Sequence, residues 1–275
     1  MIERLSMKVN STELRTTIKK LQSIGPMVFQ GSEFGYNMFG GWNLQSRTAD
    51  YKDGFQVGIE RCVRNGKFDY KLAKFLNYSH PFEHVVKTQA CLRPYSEILD
   101  YLTEQGFYPR RARVTCLKAG GKSIIHRDAP DDQYMCRIHI PIYTNDKCFH
   151  WMDYKGKQEK YHMPANGDVF ILPVNVMHQI TNESNHDRYH FIVDVYDTKG
   201  LTENFKYDGD VNLLIEQAKN YRNIIDQTSL PWYWKIAYAI GRQIVVMRFK
   251  AEQKVIQASY KLNDDIKSGK YESKK

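Results

Sequence analysis

The sequence lacks any unbroken apolar run of membrane-spanning length, which argues against a helical membrane protein. Cysteine is scarce: Cys62, Cys91, Cys116, Cys136 and Cys148 are five scattered residues, an odd number without a C-x-x-C pair. That excludes zinc-ribbon spacing and argues against a disulfide framework, so the thiols are expected to be reduced. No internal repeat or low-complexity tract is present. The N-terminal stretch Met1-Ile-Glu-Arg-Leu-Ser-Met-Lys8 places an acid and a base where a secretory signal needs apolar residues. Export is not expected, and the expected compartment is the cytoplasm.

Acid is the deficient sign of charge, with 31 Asp and Glu against 40 Lys and Arg, a net charge of +9. Residues 231–275 carry ten bases and four acids, so +6 of that excess lies in the tail and only +3 in residues 1–230. The body of the chain is therefore not a basic nucleic-acid-binding surface, and nucleic acid is not an expected partner. The tail is a candidate contact for an acidic partner or a membrane surface, although a solvated helix face is the simpler reading.

What is present is core-forming material: 42% hydrophobic and 13% aromatic residues over a length that accommodates one substantial domain and an appendage. Residues 10–24 and 95–105 have mixed apolar and charged spacing without internal glycine, and read as helices. Between Gly31 and Gly58, Gly, Asn and aromatic residues suggest irregular structure around Gly40-Gly41-Trp42. From Ala112 to Tyr196 short strands alternate with turns. The expected strands are 112–118, 123–128, 136–142, 147–152, 158–163, 168–172, 177–182 and 187–196. Eight such strands make a jelly roll, the double-sheet architecture of the cupins, so the fold class is α+β with a mainly β core. After Thr198 helices return near 210–226 and 232–260, the second starting at Pro231. The expected division is a domain over 1–200 with N-terminal helices and a basic helical extension over 201–275.

Strand side chains alternate between faces, so spacing becomes geometry. His126 and Asp128 share a face, as do Arg137 with His139, and Arg188 with His190 and Asp194. The opposite faces carry Ile138, Ile140 and Ile142, or Tyr189, Phe191, Val193 and Val195. If the polar faces point outward they are ordinary solvated residues. If they line the barrel, they must be paired or bind something, because unpaired buried charge costs too much. His126-x-Asp128 with His178 about fifty residues later gives two histidines and one carboxylate, which hold Fe(II) and leave three positions open for a bidentate 2-oxo acid and O2. Arg188, ten residues after His178, supplies a planar cation for the remaining carboxylate of 2-oxoglutarate.

The runs Arg113-Val-Thr-Cys-Leu-Lys-Ala-Gly-Gly, His126-Arg-Asp128 and Arg137-Ile-His139-Ile-Pro141-Ile-Tyr-Thr-Asn145 resemble the aspartyl/asparaginyl β-hydroxylase family, whose relatives include proline hydroxylases. Gly167-Asp168, His178-Gln-Ile-Thr-Asn182-Glu-Ser, Arg188-Tyr-His190 and Asp194 continue the pattern in order, with a weaker echo from Gly41-Trp42 to Arg47. The resemblance covers residues 112–196. It implies an oxygenase in a double-stranded β-helix that uses Fe(II), 2-oxoglutarate and O2 to hydroxylate an amino-acid or peptide side chain, releasing succinate and CO2. It further implies His126, Asp128 and His178 as catalytic metal ligands and Arg188 at the distal carboxylate of 2-oxoglutarate. Arg137 and His139 match positions touching the cosubstrate, and Thr115 one where a hydroxyl assists Arg188. Asp128 places the chain nearer the members with a complete triad.

Two readings compete. A non-catalytic cupin-like binding module would share the fold and fail to bind iron. His80-Pro-Phe-Glu83-His84 spells H-x-x-E-H, which one class of zinc peptidase uses on a helix, but Pro81 puts His80 at or before a helix cap. His150, His162 and His186 read as ordinary histidines. Trp42, Arg47 and Trp151 are candidates for substrate contact, with core filling the commoner fate of such aromatics.

Overall fold

The computed structural model describes residues 2–29, 38–53, 63–64, 67–75, 78–128, 135–154 and 156–233, with isolated positions beyond. Among them lie α-helices α1 (Ser11–Ile24), α2 (Tyr70–Phe75), α3 (Arg93–Gln105) and α4 (Val211–Gln227). Short strands open the chain: β1 (Glu3–Lys8), β2 (Val28–Phe29), β3 (Phe39–Asn43), β4 (Gln45–Ser46), β5 (Val63–Arg64), β6 (Lys67–Phe68) and β7 (Val86–Lys87). The barrel follows: β8 (Phe107–Leu117), β9 (Cys136–Tyr143), β10 (Cys148–Tyr154), β11 (Lys157–Tyr161), β12 (Asp168–Pro173), β13 (Met177–Asn182) and β14 (Arg188–Asp197). Contacts divide the chain into two compact units, Met1–Ser32 with Tyr36–Ser229, and Glu33–Gly35 with Leu230–Lys275. The first unit therefore includes α4. Most of the helix expected over 232–260 lies outside the described residues.

A seven-stranded sheet in the order β1-β12-β9-β14-β8-β3-β2 opposes a three-stranded sheet, β11-β10-β13. Every described pairing within the two is antiparallel. The segment expected as a strand over 123–128 forms none; it touches β13 only through bridges Lys122↔Thr181 and His126↔His178. With that segment at its edge, the small sheet faces β12-β9-β14-β8 as the second layer of a jelly roll.

Alternation determines what each face of the large sheet does. Ile138, Ile140, Phe191, Val193 and Val114 join Leu21, Leu99 and Leu102 of α1 and α3 in the main apolar core. The fat of the protein thus lies outside the barrel, between sheet and helices, and truncating one of these leucines to Ala would cost about 2–5 kcal/mol. Helix α1 is capped by Asn10, whose side chain accepts from Glu13 N, and α3 starts with Pro94 in its first turn and stops at left-handed Gly106. Pro141 sits in central β9, where proline cannot donate to a ladder. Its neighbourhood is irregular: Tyr189 pairs with Tyr143 but His190 with Pro141.

Strands β1 to β3 extend the large sheet beyond the eight expected strands. The Gly40-Gly41-Trp42 region, expected to be irregular, is strand β3 alongside β8. Glycine is required there, because a Cβ on Gly41 would lie 1.9 Å from the Val114 carbonyl oxygen. Trp42 is buried and donates from Nε1 to Gly25 O at 2.9 Å, so it fills core.

Candidate metal centre and its flanks

The backbone brings His126 and His178 opposite each other, with His126 N donating to His178 O at 3.1 Å and His178 N to His126 O at 2.8 Å. Asp128 N donates to Val174 O at 2.7 Å and fixes the carboxylate beside them. One ligand atom from each of His126, Asp128 and His178 lies within 4.8 Å of the other two, the one such group among the described residues. Nδ1 of His126 lies 2.9 Å from Ile124 O and Nδ1 of His178 lies 2.8 Å from Val176 O. A carbonyl only accepts, so both Nδ1 atoms carry the proton and both Nε2 lone pairs are free for a metal. Burial, then the neighbouring His126, pushes His178 down to about 3, so it is neutral at physiological pH. Burial alone would raise Asp128; Arg137, then His126 and His178, outweigh it and hold the carboxyl far below its ordinary range. Two neutral imidazoles and a carboxylate suit a divalent transition metal.

The polar faces of the sheets turn inward, which decides between the two readings left open by alternation. Arg137, His139, Arg188, His190 and Asp194 are all buried in this seam. At one end, Arg188 Nη2 donates to His190 Nδ1 at 3.0 Å, and His139 Nδ1 lies 3.4 Å from the same atom. That assigns the His190 proton to Nε2, a buried donor without a partner, and the Nε2 of His139 is also unpartnered. His139, His150 and His190 are pushed well below the ordinary histidine range, chiefly by burial, then by His150, His178 and Arg188 respectively. Thr115 Oγ1 donates to His190 O at 3.3 Å, so it contacts the strand beside Arg188.

At the other end Arg137 bridges two acids: Nη2 lies 2.8 Å from Asp128 Oδ2 and Nε 2.6 Å from Asp194 Oδ1. Arg111 Nη1 approaches the second oxygen of Asp194 at 3.2 Å. Burial would raise Asp194, but Arg137, Arg111, Arg113 and Arg110 hold it at about 2. Arg110 is sandwiched, its guanidinium carbon 4.5 Å from the Phe82 ring centre and 5.0 Å from that of Tyr196.

His150 is a member of the site that the sequence did not reveal. Its ring is stacked 5.7 Å from that of His178 and edge-on to His139 at 5.3 Å, and both its nitrogens are buried without partners. Alternation with buried Cys148 and Met152 was the available signal. The H-x-x-E-H spelling, by contrast, forms a 3-10 turn over Pro81–Glu83 capped by His80. Glu83 pairs with Arg222 at 2.6 Å and His84 Nε2 contacts Ser79 Oγ at 2.5 Å. No helix presents both histidines on one face, as the peptidase arrangement requires. Arg47 pairs with Asp53 at 3.6 Å.

Residues 74–198 match the family model described as aspartyl/asparaginyl β-hydroxylase. No curated protein matches the sequence significantly. Similar solved structures include a prolyl hydroxylase from Trichoplax adhaerens in complex with a hypoxia-inducible-factor peptide fragment, at 14% identity over 72% of this chain and 84% of that one, TM-score 0.42. A 2OG-Fe(II) oxygenase family oxidoreductase from Burkholderia pseudomallei shares 13% identity over 67% and 78% of the two chains, TM-score 0.38. These structural likenesses are remote. The family match spans β8 to β14 and with them His126, Asp128 and His178 and both ends of the seam, and over residues 74–198 the chain is similar to the aspartyl/asparaginyl β-hydroxylase family.

Proposed function

We propose that this domain is an Fe(II)- and 2-oxoglutarate-dependent dioxygenase that hydroxylates an amino-acid or peptide side chain. The observation that carries this reading is the convergence of His126, Asp128 and His178, with both Nδ1 protons tied to backbone carbonyls. When bound, iron and 2-oxoglutarate supply the oxidising chemistry with O2, and succinate and CO2 are released. The chain's part is to bind, orient and screen. Arg188 would pair with the distal carboxylate of 2-oxoglutarate, and the unpartnered Nε2–H of His190 would give a second donor on the same side. His139, with a free Nε2, and His150 line the way from Arg188 to the ligands. Arg137, anchored on Asp194, orients the Asp128 carboxylate. Thr115 would act on Arg188 through the His190 backbone. Burial of Arg137, His139, His150, Arg188 and His190 excludes water from that part of the seam.

No described helix is long and apolar enough to cross a membrane. Cys91, Cys116 and Cys148 carry no disulfide, in keeping with the reducing, cytoplasmic setting expected from the sequence. The basic charge of residues 231–275 supports an acidic partner for the tail on composition alone.

The test is anaerobic. Fe(II) and 2-oxoglutarate together should give a visible charge-transfer band that neither gives alone, and His126→Ala or His178→Ala should abolish it. A wild-type band in both variants would remove the assignment, and a non-catalytic cupin-like module would show no succinate formation at all.

A further inference from the structure

Buried guanidiniums are costly unless paired, and three of them, Arg110, Arg113 and Arg137, gather with the part-exposed Arg111 beside two carboxylates, Asp128 and Asp194. Arg137 and Arg111 account for both acids. Arg110 is accommodated by its two aromatic rings, whereas among the described residues Arg113 has no carboxylate, and its Nε and Nη1 atoms have no hydrogen-bond partner although only 4% of the residue is exposed. Arg111 Nε is unpartnered as well.

The backbone is bent to create this crowding. Ile192 pairs with Arg113 but Asp194 with Arg110, so β8 carries one residue more than β14 across this step. The extra residue is accommodated at Arg111, which takes a left-handed φ of 52°. Such a conformation is unfavourable for a side chain that gains nothing by it. The bulge lets Arg110 and Arg113, three apart, both pair across the ladder with the inward positions of β14. The Asp128 carboxylate acts electrostatically on both Arg111 and Arg113.

We propose that Arg111 and Arg113 form the subsite for a doubly negative group of the substrate, a phosphate monoester or a dicarboxylate. Four guanidiniums against two carboxylates leave two positive charges, which a single carboxylate would half neutralise. A phosphate or a pair of carboxylates has enough oxygens to engage two planar guanidiniums at once. The word substrate rests on the proposed oxygenase function; the anion binding does not, because it needs no iron.

The full chain, stripped of metal, is titrated calorimetrically with inorganic phosphate, malonate and acetate at matched ionic strength, alongside thermal unfolding. Phosphate or malonate should bind saturably, about tenfold or more tighter than acetate, and the tighter of the two identifies the source of the charge. Arg113→Met should lose about tenfold in that affinity while its ligand-free form melts higher than wild type, since a buried unpaired charge has gone. Arg188→Met should keep the binding. Dianions no better than acetate, binding retained in Arg113→Met, binding lost in Arg188→Met, or a lower melting point of ligand-free Arg113→Met would each overturn the proposal. If Arg113→Met does not fold, Arg113→Lys keeps the charge without the planar donor pair and should bind phosphate about threefold or more weakly; unchanged affinity overturns the proposal equally.

Discussion

At one end of the seam between the sheets a single guanidinium, Arg188, lies among histidines held neutral by burial; at the other, four guanidiniums gather beside two acids that pair with only two of them. Both ends face the same cluster of His126, Asp128 and His178, and both offer positive charge to an anion, yet they carry it differently. At the histidine end the donors are few and unpaired, so the fold loses little if one goes. At the arginine end the charges are locked by Asp194, which touches Arg137 and Arg111 together. The first is built to receive a ligand and the second must also hold itself together.

The largest effect should come from the lock. Asp194→Ala leaves Arg137 and Arg111 buried without their shared partner, and should cost about 3–5 kcal/mol of stability, measured by urea unfolding. Arg188→Met at the other end should cost almost none, because Arg188 has no carboxylate to abandon. Equal losses would erase the contrast. Instead, Arg188→Met should raise the 2-oxoglutarate concentration for half-saturation roughly 100-fold, as expected for a lost charge-assisted bidentate pair, with Fe(II) affinity nearly intact. An unchanged 2-oxoglutarate requirement would take Arg188 out of that role.

The histidine end should also make the protein acid-sensitive. His139 and His190 are both depressed well below 6.5, chiefly by burial. Their unfolded forms take up protons below that pH while the folded forms do not, so stability is complete above about 6.5 and falls as pH drops below it, by at most about 1.4 kcal/mol per group per pH unit. Melting temperature from pH 8 to 5 checks this; substituting His139 by Gln should flatten the fall. Asp194 contributes nothing in that window, because its own depression, from 3.8 to about 2, matters only at lower pH.

Different physics made these parts unequally legible in the sequence. Helices α1, α3 and α4 and the strands β8 to β14 follow period and turn chemistry, and they lie near where spacing put them. The clustering of His126, Asp128 and His178 was legible because two of them share one short extended segment and the third lies on a predicted strand. Strands β1 and β3 were not, since their pairing partners β12 and β8 are far along the chain. The arginine end was hidden for a sharper reason. Strict alternation would set Arg111 and Arg113 on one face and Arg110 on the other; the bulge at Arg111 breaks that period, and a single residue out of phase cannot be read from side-chain pattern alone. His150 was hidden among aromatic and apolar neighbours on β10, where a buried histidine looks like core.

The smallest expected effect concerns Thr115, which tests how the histidine end is held. Its hydroxyl donates to the His190 carbonyl at 3.3 Å, and the two residues are ladder partners. Thr115→Val keeps the shape and removes one buried, long hydrogen bond, so the stability loss should be about 1 kcal/mol or less. His190 stays where the ladder puts it, and Arg188 still donates to its ring at 3.0 Å. The 2-oxoglutarate requirement should therefore shift by about twofold at most, whereas a hydroxyl bonded directly to Arg188 or to the cosubstrate would cost nearer tenfold, the scale of one charge-assisted hydrogen bond. Saturation curves for wild type and Thr115→Val separate the two: a twofold shift leaves Thr115 acting through the strand, and a tenfold shift moves it to the cosubstrate.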